Sequence, residues 1–274
     1  MPGRRPPRAL NNGARGHGRP TRGREPSGLG GEQVEGRHAV HELLVAGRRA
    51  VREVLIARDG ADNALLEEIA ELARDNGARV VLTGRDALLS RARSDAPQGM
   101  IAFADPLLSL DLETLVARAS PAFLVVLDGV TDPHNLGAIL RSASGAGATG
   151  VVLRAPRAVA VTPVVAKAAA GAIEHLHFSL VAGIPNALLD LRRAGVWSVG
   201  LDAAAPRDLE DVEVLDRDVA LVLGDEGEGL SNLVRERCEV LASIPLYGPL
   251  ESLNVAAAAA IATFTVARKR RRAE

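Results

Sequence analysis

Residues 130–148 read VTDPHNLGAILRSASGAGA, with Asn135 near the start of a helical pattern and Arg141 six positions later. An asparagine at a helix start accepts a free backbone N–H through its side-chain oxygen, and an arginine on a helix is ordinarily solvated. The same pair would also equip a reaction site at the helix start, and residue types alone leave both readings open. A second polar concentration is the loop GDEGEG, residues 224–229, with three glycines and three acids. Phosphate cradles use backbone N–H groups and usually a lysine. This loop has no lysine, and its charge repels phosphate. No G-x-G-x-x-G spacing follows the first strand of the larger unit, which argues against NAD. Asp225, Glu226 and Glu228 lack a nearby histidine or further acid to complete a metal set, so a flexible turn before a helix is the plain reading. A third concentration is the turn Ser252-Leu253-Asn254, which runs straight into an alanine-rich helix. Ser252 and Asn254 are each reasonable caps. Ser252 has no adjacent His/Asp arrangement and no G-x-S-x-G elbow, which disfavours nucleophilic hydrolysis. His38 and His41 share a predicted helix face, and His175 and His177 a predicted strand face, but neither pair has ligand-type neighbours. His134 follows Pro133, where it shapes a turn. No metal is expected.

Periodicity indicates what positions these residues. From about residue 33, GRHAVHELLVAG reads as a short helix, REVLIAR (52–58) as a strand, NALLEEIAELARDNG (63–77) as an amphipathic helix stopped by Gly77, and ARVVLTG and GMIAFAD as two more strands. This is a small α/β unit. Residues 105–121 form a connector with a short helix. From 122 the strands become continuous apolar runs, FLVVLDG, GVVLRA, VWSVGLDA, VALVLGDE and LASIPL. Helical stretches lie at 136–148, 163–172, 185–194, 229–237 and 254–270. Alternating buried strands and helices predict a parallel sheet covered on both faces. Ligands of such sheets bind beyond the carboxyl ends of the strands, which selects the loops DGVTDPHN, LDAAAP, GDEGEG and LYGPLESLN.

Composition narrows the class. The 274 residues are 47% hydrophobic and 24% charged but only 2% aromatic, so an aliphatic core is expected. The single cysteine, Cys238, rules out an intramolecular disulfide and suits a reducing cytoplasm; a buried inert thiol is its expected role. No apolar run approaches the ~18 residues of a spanning helix, and no signal-type segment follows the basic N-terminus. The net charge of −1 conceals basic ends: seven arginines in residues 1–24 and the run RKRRR at 268–272 flank an acidic body. Basic ends suit contact with a polyanion, or serve only as solubilising tails. Residues 1–31, rich in Gly, Pro and Arg, are predicted to be disordered.

Three blocks in order, LDGVTDPHNLGAILRSASGAGATGVVL (127–153), LVLGDEGEGL (221–230) and IPLYGPLESLNVAAAAAI (244–261), resemble the SpoU/TrmH (SPOUT) family of RNA ribose 2′-O-methyltransferases. The smaller unit, with VEGRHAVHELL and PQGMIAFAD, resembles the L30e-like RNA-recruiting domain of the subgroup that methylates a guanosine of 23S rRNA. The resemblance implies an α/β chain in five parts: an Arg/Gly-rich tail (1–31), the recruiting domain (32–105), a linker (106–121), a methyltransferase domain with a mostly parallel sheet and a deep trefoil knot (122–268), and a basic tail (269–274). It also implies a homodimer, no membrane association and S-adenosylmethionine held largely by main-chain groups. By position, cofactor contacts fall on Gly224, Ile244 and Leu253, and functional polar residues on Asn135, Arg141, Glu226, Ser252 and Asn254. The acidic loop is then less puzzling, because its ligand carries a sulfonium cation. Rival expectations are a tRNA ribose methyltransferase, a resistance-type enzyme acting on another rRNA nucleotide, and a catalytically silent RNA-binding or ribosome-assembly factor.

Overall fold

The computed structural model describes residues 28–58, 63–155 and 161–273. The smaller unit contains β1 (Gln33–Glu35), α1 (Arg37–Ala46), β2 (Val51–Ala57), α2 (Asn63–Asp75), β3 (Arg79–Thr83), α3 (Arg85–Leu89) and β4 (Met100–Ala104). Its sheet runs β1-β4-β2-β3, with β2 and β3 parallel and the other pairs antiparallel. Val40, Leu43 and Leu44 of α1 and Ile69 and Ala73 of α2 close one core over it. The sequence pattern did not reveal β1, because its polar residues point inward. Glu35 is fully buried, and its carboxylate accepts the backbone N–H groups of Arg93 and Ser94.

After α4 (Leu112–Val116) come β5 (Phe123–Leu127), α5 (Pro133–Gly145), β6 (Gly150–Arg154), α6 (Pro163–Ala168), β7 (Phe178–Val181), α7 (Ile184–Arg193), β8 (Trp197–Leu201), β9 (Val219–Leu223), α8 (Asn232–Arg237), β10 (Val240–Ala242) and α9 (Val255–Ala273). The strands form a six-stranded sheet, β10-β8-β9-β5-β6-β7, in which every neighbouring pair is parallel. Side chains alternate between its faces. Phe123, Val125 and Leu127 join α5, α6 and α9 in one core, while Leu124 and Val126 join α4, α7 and α8 in the other. Both faces are covered, which is why the strands read as unbroken apolar runs.

Several expectations need correction. Within 1–31, residues 1–27 lie outside the described residues, but 28–31 belong to the fold: Leu29 is buried in the large core, and Gly31 N–H donates to Val161 O at 2.9 Å. The expected linker is integrated too, since Leu107 and Leu115 are buried and Leu110 N–H donates to Phe178 O. His175 and His177 precede β7 in a loop after the 3-10 helix Ala172–Glu174, so they share no strand face. The expected basic tail is the last turn of α9. There the half-buried Arg270 stacks 5.1 Å above the Phe123 ring and donates to the carbonyls of Pro121, Ala122 and Leu215. Among the described residues, no helix is long and apolar enough to cross a membrane, and no group of three or more His, Cys, Asp or Glu is placed to hold a metal ion.

Candidate active site at the strand ends

α5 begins at Pro133, which puts Asn135 in its first turn. Asp132 is its N-cap, Pro133 occupies the first turn, and Asp132 Oδ2 accepts the Asn135 backbone N–H at 2.8 Å. Aspartate before proline is a strong start signal, so Asn135 does not cap the helix and its side chain is available for other bonds. His134 lies in the same first turn, not in a separate bend. Leu136, Ile139, Leu140 and Ala143 are buried, whereas Arg141 is exposed.

The loop after β9 closes on itself. Asp225 and Gly229 exchange both backbone hydrogen bonds at 3.0 Å. A Cβ at Gly224 would overlap the backbone of Gly229 and Leu230. Glycine is therefore required there by the loop's own chain. The hairpin directs Glu226 toward α5 and α9. Glu226 Oε2 accepts from Asn135 Nδ2 at 2.8 Å, and Oε1 from Asn254 Nδ2 at 2.6 Å; Asn254 Nδ2 also reaches Asn135 Oδ1 at 3.1 Å. Asn254 additionally caps α9, its Oδ1 accepting from the N–H of Ala256 at 2.9 Å. Three remote segments are thus interlocked by three side chains. Ser252 is exposed and makes no cap.

Beside this interlock is a cavity of about 320 Å³, enclosed by the ends of β8 and β9, the Gly-rich loop and the 244–255 segment. Gly224, Ile244 and Leu253 all line it, as do Glu226 and Ser252. Arg141 does not line it, and has no hydrogen-bond or ion-pair partner among the described residues. The lining pairs leucines and Ile244 with Asp225, Glu226 and Glu228, and the volume suits a ligand of nucleoside size. An apolar slot with an acidic rim fits S-adenosylmethionine, whose sulfonium is cationic, better than a triphosphate.

Two carboxylates here escaped the sequence reading. Asp128, which follows β5, is buried and its Oδ2 accepts from Ser231 N–H at 3.0 Å and Oγ at 2.7 Å, tying β5 to the start of α8. Asp202, which follows β8, lines the cavity; its Oδ1 accepts the Ala204 N–H at 2.9 Å, and its Oδ2 lies 2.6 Å from Arg235 Nη2. That oxygen is buried, and the guanidinium approaches it outside hydrogen-bonding geometry. The available signal was an aspartate directly following an apolar strand. Cys238 is inert: burial, then the charges of Asp128 and Glu239, push its thiol up to about 12.

Comparison with known proteins places these features. The SpoU rRNA Methylase family profile matches residues 122–264, and the profile described as RNA 2'-O ribose methyltransferase substrate binding matches residues 33–109. The 23S rRNA (guanosine-2'-O-)-methyltransferase RlmB of Coxiella burnetii is 39% identical over 243 residues, covering 87% of this chain and 96% of that one. A putative TrmH family tRNA/rRNA methyltransferase of Staphylococcus saprophyticus is 35% identical, covering 86% and 95%. Among solved structures, the SpoU methyltransferase AviRb from Streptomyces viridochromogenes, in complex with AdoMet, superposes with a TM-score of 0.74 at 25% identity, over 88% of this chain and 90% of that one.

Proposed function

The chain belongs to the SpoU rRNA methylase family, and from that premise we propose that it is an S-adenosylmethionine-dependent RNA 2′-O-ribose methyltransferase whose target is a guanosine of 23S rRNA. The observation that carries the reading is the Asn135–Glu226–Asn254 interlock beside a cavity lined by Gly224, Ile244 and Leu253. A silent binding protein has no need to join three remote polar side chains at the strand ends. Coverage of 96% of the Coxiella relative extends the similarity through both domains, which favours rRNA over tRNA.

Bound S-adenosylmethionine supplies a methyl group activated by its sulfonium. Gly224, Ile244 and Leu253 would hold it through main-chain groups, with the acidic rim facing its positive charge. The protein must then orient a ribose hydroxyl for in-line attack and assist loss of its proton. A guanidinium stays protonated, so Arg141 serves as donor. It clamps the substrate phosphate and polarises the hydroxyl, and the proton leaves to phosphate or water. Asn135, Glu226 and Asn254 hold α5, the Gly-rich loop and the start of α9 in register, and Ser252 completes the cofactor loop.

The family resemblance adds a deep trefoil knot, made where the C-terminal segment threads a loop, a cytoplasmic location and a homodimer. Support for the dimer comes from exposed apolar residues: Tyr247 and Ile261, which line one pocket, and Phe264, one helical turn on from Ile261. The deciding experiment maps 2′-O-methyl groups in total RNA from cells with and without the protein. One 23S guanosine should lose its methyl group in its absence. An unchanged 23S pattern, or loss at a tRNA ribose, would refute the assignment.

A further inference from the structure

The polar cluster that this chemistry leaves unused lies between the two domains. Arg49, just before β2, and Glu174, in the 3-10 helix of the large domain, have side chains only 5% and 1% exposed. They meet in two contacts, Nε to Oε2 at 3.0 Å and Nη2 to Oε1. Arg49 Nη1 also donates to Gly31 O at 2.8 Å and Asp105 O at 2.7 Å, the two places where the chain passes between domains. Arg48 donates to Glu174 O at 2.8 Å and Leu176 O at 3.1 Å, and Glu42 of α1 meets His175 at 2.8 Å. A two-point arginine–carboxylate pair tolerates little rotation, and separating it would leave a buried charge unpaired. The pair therefore resists rotation of one domain against the other.

Packing continues from this pair toward the site. A Cβ at Gly171 would overlap Glu42 of α1, and a Cβ at Gly137 of α5 would overlap Ala168 of α6. The small domain thus bears on the 171–174 segment, that segment continues from α6, and α6 lies directly against the helix that carries Asn135 and Arg141. We propose that Arg49 and Glu174 are positioning residues of a rigid spacer, which holds RNA bound by the small domain at fixed reach from Arg141 and so selects the nucleotide that is methylated. On a flexible connection the bound RNA would present a range of nucleotides; a fixed spacing presents one. The selection role rests on the RNA-methylation reading, whereas the spacer itself does not.

Two readouts separate these. Spin labels at Glu68→Cys and Arg193→Cys, in a Cys238→Ser background diluted with unlabelled protein, report the interdomain distance. Arg49→Ala and Glu174→Gln should broaden a narrow distribution, and an unchanged distribution overturns the spacer. The same two variants are then assayed on a 23S transcript and on a short hairpin bearing only the target nucleotide. On the transcript, kcat/KM should fall at least tenfold and methylation should spread to neighbouring riboses. The hairpin rate and the S-adenosylmethionine Kd should stay within twofold, which a general loss of folding would not permit. Unchanged single-site methylation of the transcript beside a broadened distribution overturns the selection role. If the unaltered protein methylates neither RNA, the catalytic reading and the selection role fail together, and the label distances still decide the spacer.

Discussion

At the scale of single residues, the site divides into groups already engaged and groups left free, Arg141 and Ser252 among the described residues. Asn135, Glu226 and Asn254 satisfy one another, whereas Arg141 is exposed and unpaired among the described residues. That is the expected state of a group reserved for substrate. Arg141→Lys keeps the charge but loses the planar fork. Single-turnover methylation should fall by about 10²-fold, the cost of imperfect alignment, with S-adenosylmethionine affinity unchanged by calorimetry; near-normal turnover would remove the clamp role. Gly224→Ala tests the crowded hairpin. Its Cβ would meet the backbone of Gly229 and Leu230, so thermal unfolding should show a loss of about 1–3 kcal/mol together with weakened cofactor binding. Residue-level legibility was uneven. Arg141 is off the core face of α5, as an arginine on a helix ordinarily is. Asn135 was left open between cap and site residue because it is a good capping type, while Asp132 before Pro133 holds the cap position. Asp128 and Asp202 were overlooked because an aspartate at a strand end resembles ordinary loop polarity until the sheet brings the loops together.

At the scale of elements, strands buried on both faces announced themselves as apolar runs, and β5, β6, β8 and β9 lie where the pattern predicted. The elements missed obey other constraints. β1 hides because Glu35 is buried and satisfied by loop N–H groups. β7 was read too early, at His175 and His177, which lie in the loop before it. The segment between α6 and β7 also carries a pH dependence. Arg48 Nη2 lies 2.6 Å from His177 Nδ1, a contact that needs a neutral imidazole with a free lone pair. Burial, then the charges of Arg48 and Arg118, hold His177 below its usual value. The native state thus resists protonation that the unfolded chain accepts, so this stabilisation is complete above the unfolded value near 6.5 and is lost as pH falls below it. Thermal melting should give a lower Tm at pH 5.5 than at 7.5, with the difference reduced in His177→Gln. An equal difference in that variant would assign the effect elsewhere.

At the scale of the molecule, the two-domain α/β plan was legible, but the integration of its parts was not. The supposed linker and the first described residues are packed into the large core through Leu29, Leu107 and Leu115, and periodicity does not report such long-range docking. Truncations should respect this. Removing residues 1–24 takes away seven arginines but spares Leu29. RNA affinity should drop, and the log–log salt slope should flatten by up to ~5, at ~0.7 per phosphate contact on single strands; an unchanged slope would deny the tail a role in RNA binding. Phe264→Asp places a charge on the exposed face of α9 and should shift sedimentation from dimer to monomer. A persistent dimer would place the interface elsewhere. The interlock has a further consequence, in the order of synthesis. Its bonds span 91, 28 and 119 residues of chain, and Asn254 is translated after both of its partners. A growing polypeptide therefore presents its RNA-recruiting half first and closes its methylating half last. Any product cut short before Asn254 therefore lacks two of the three interlock bonds and the cap of α9, so the site cannot close at all.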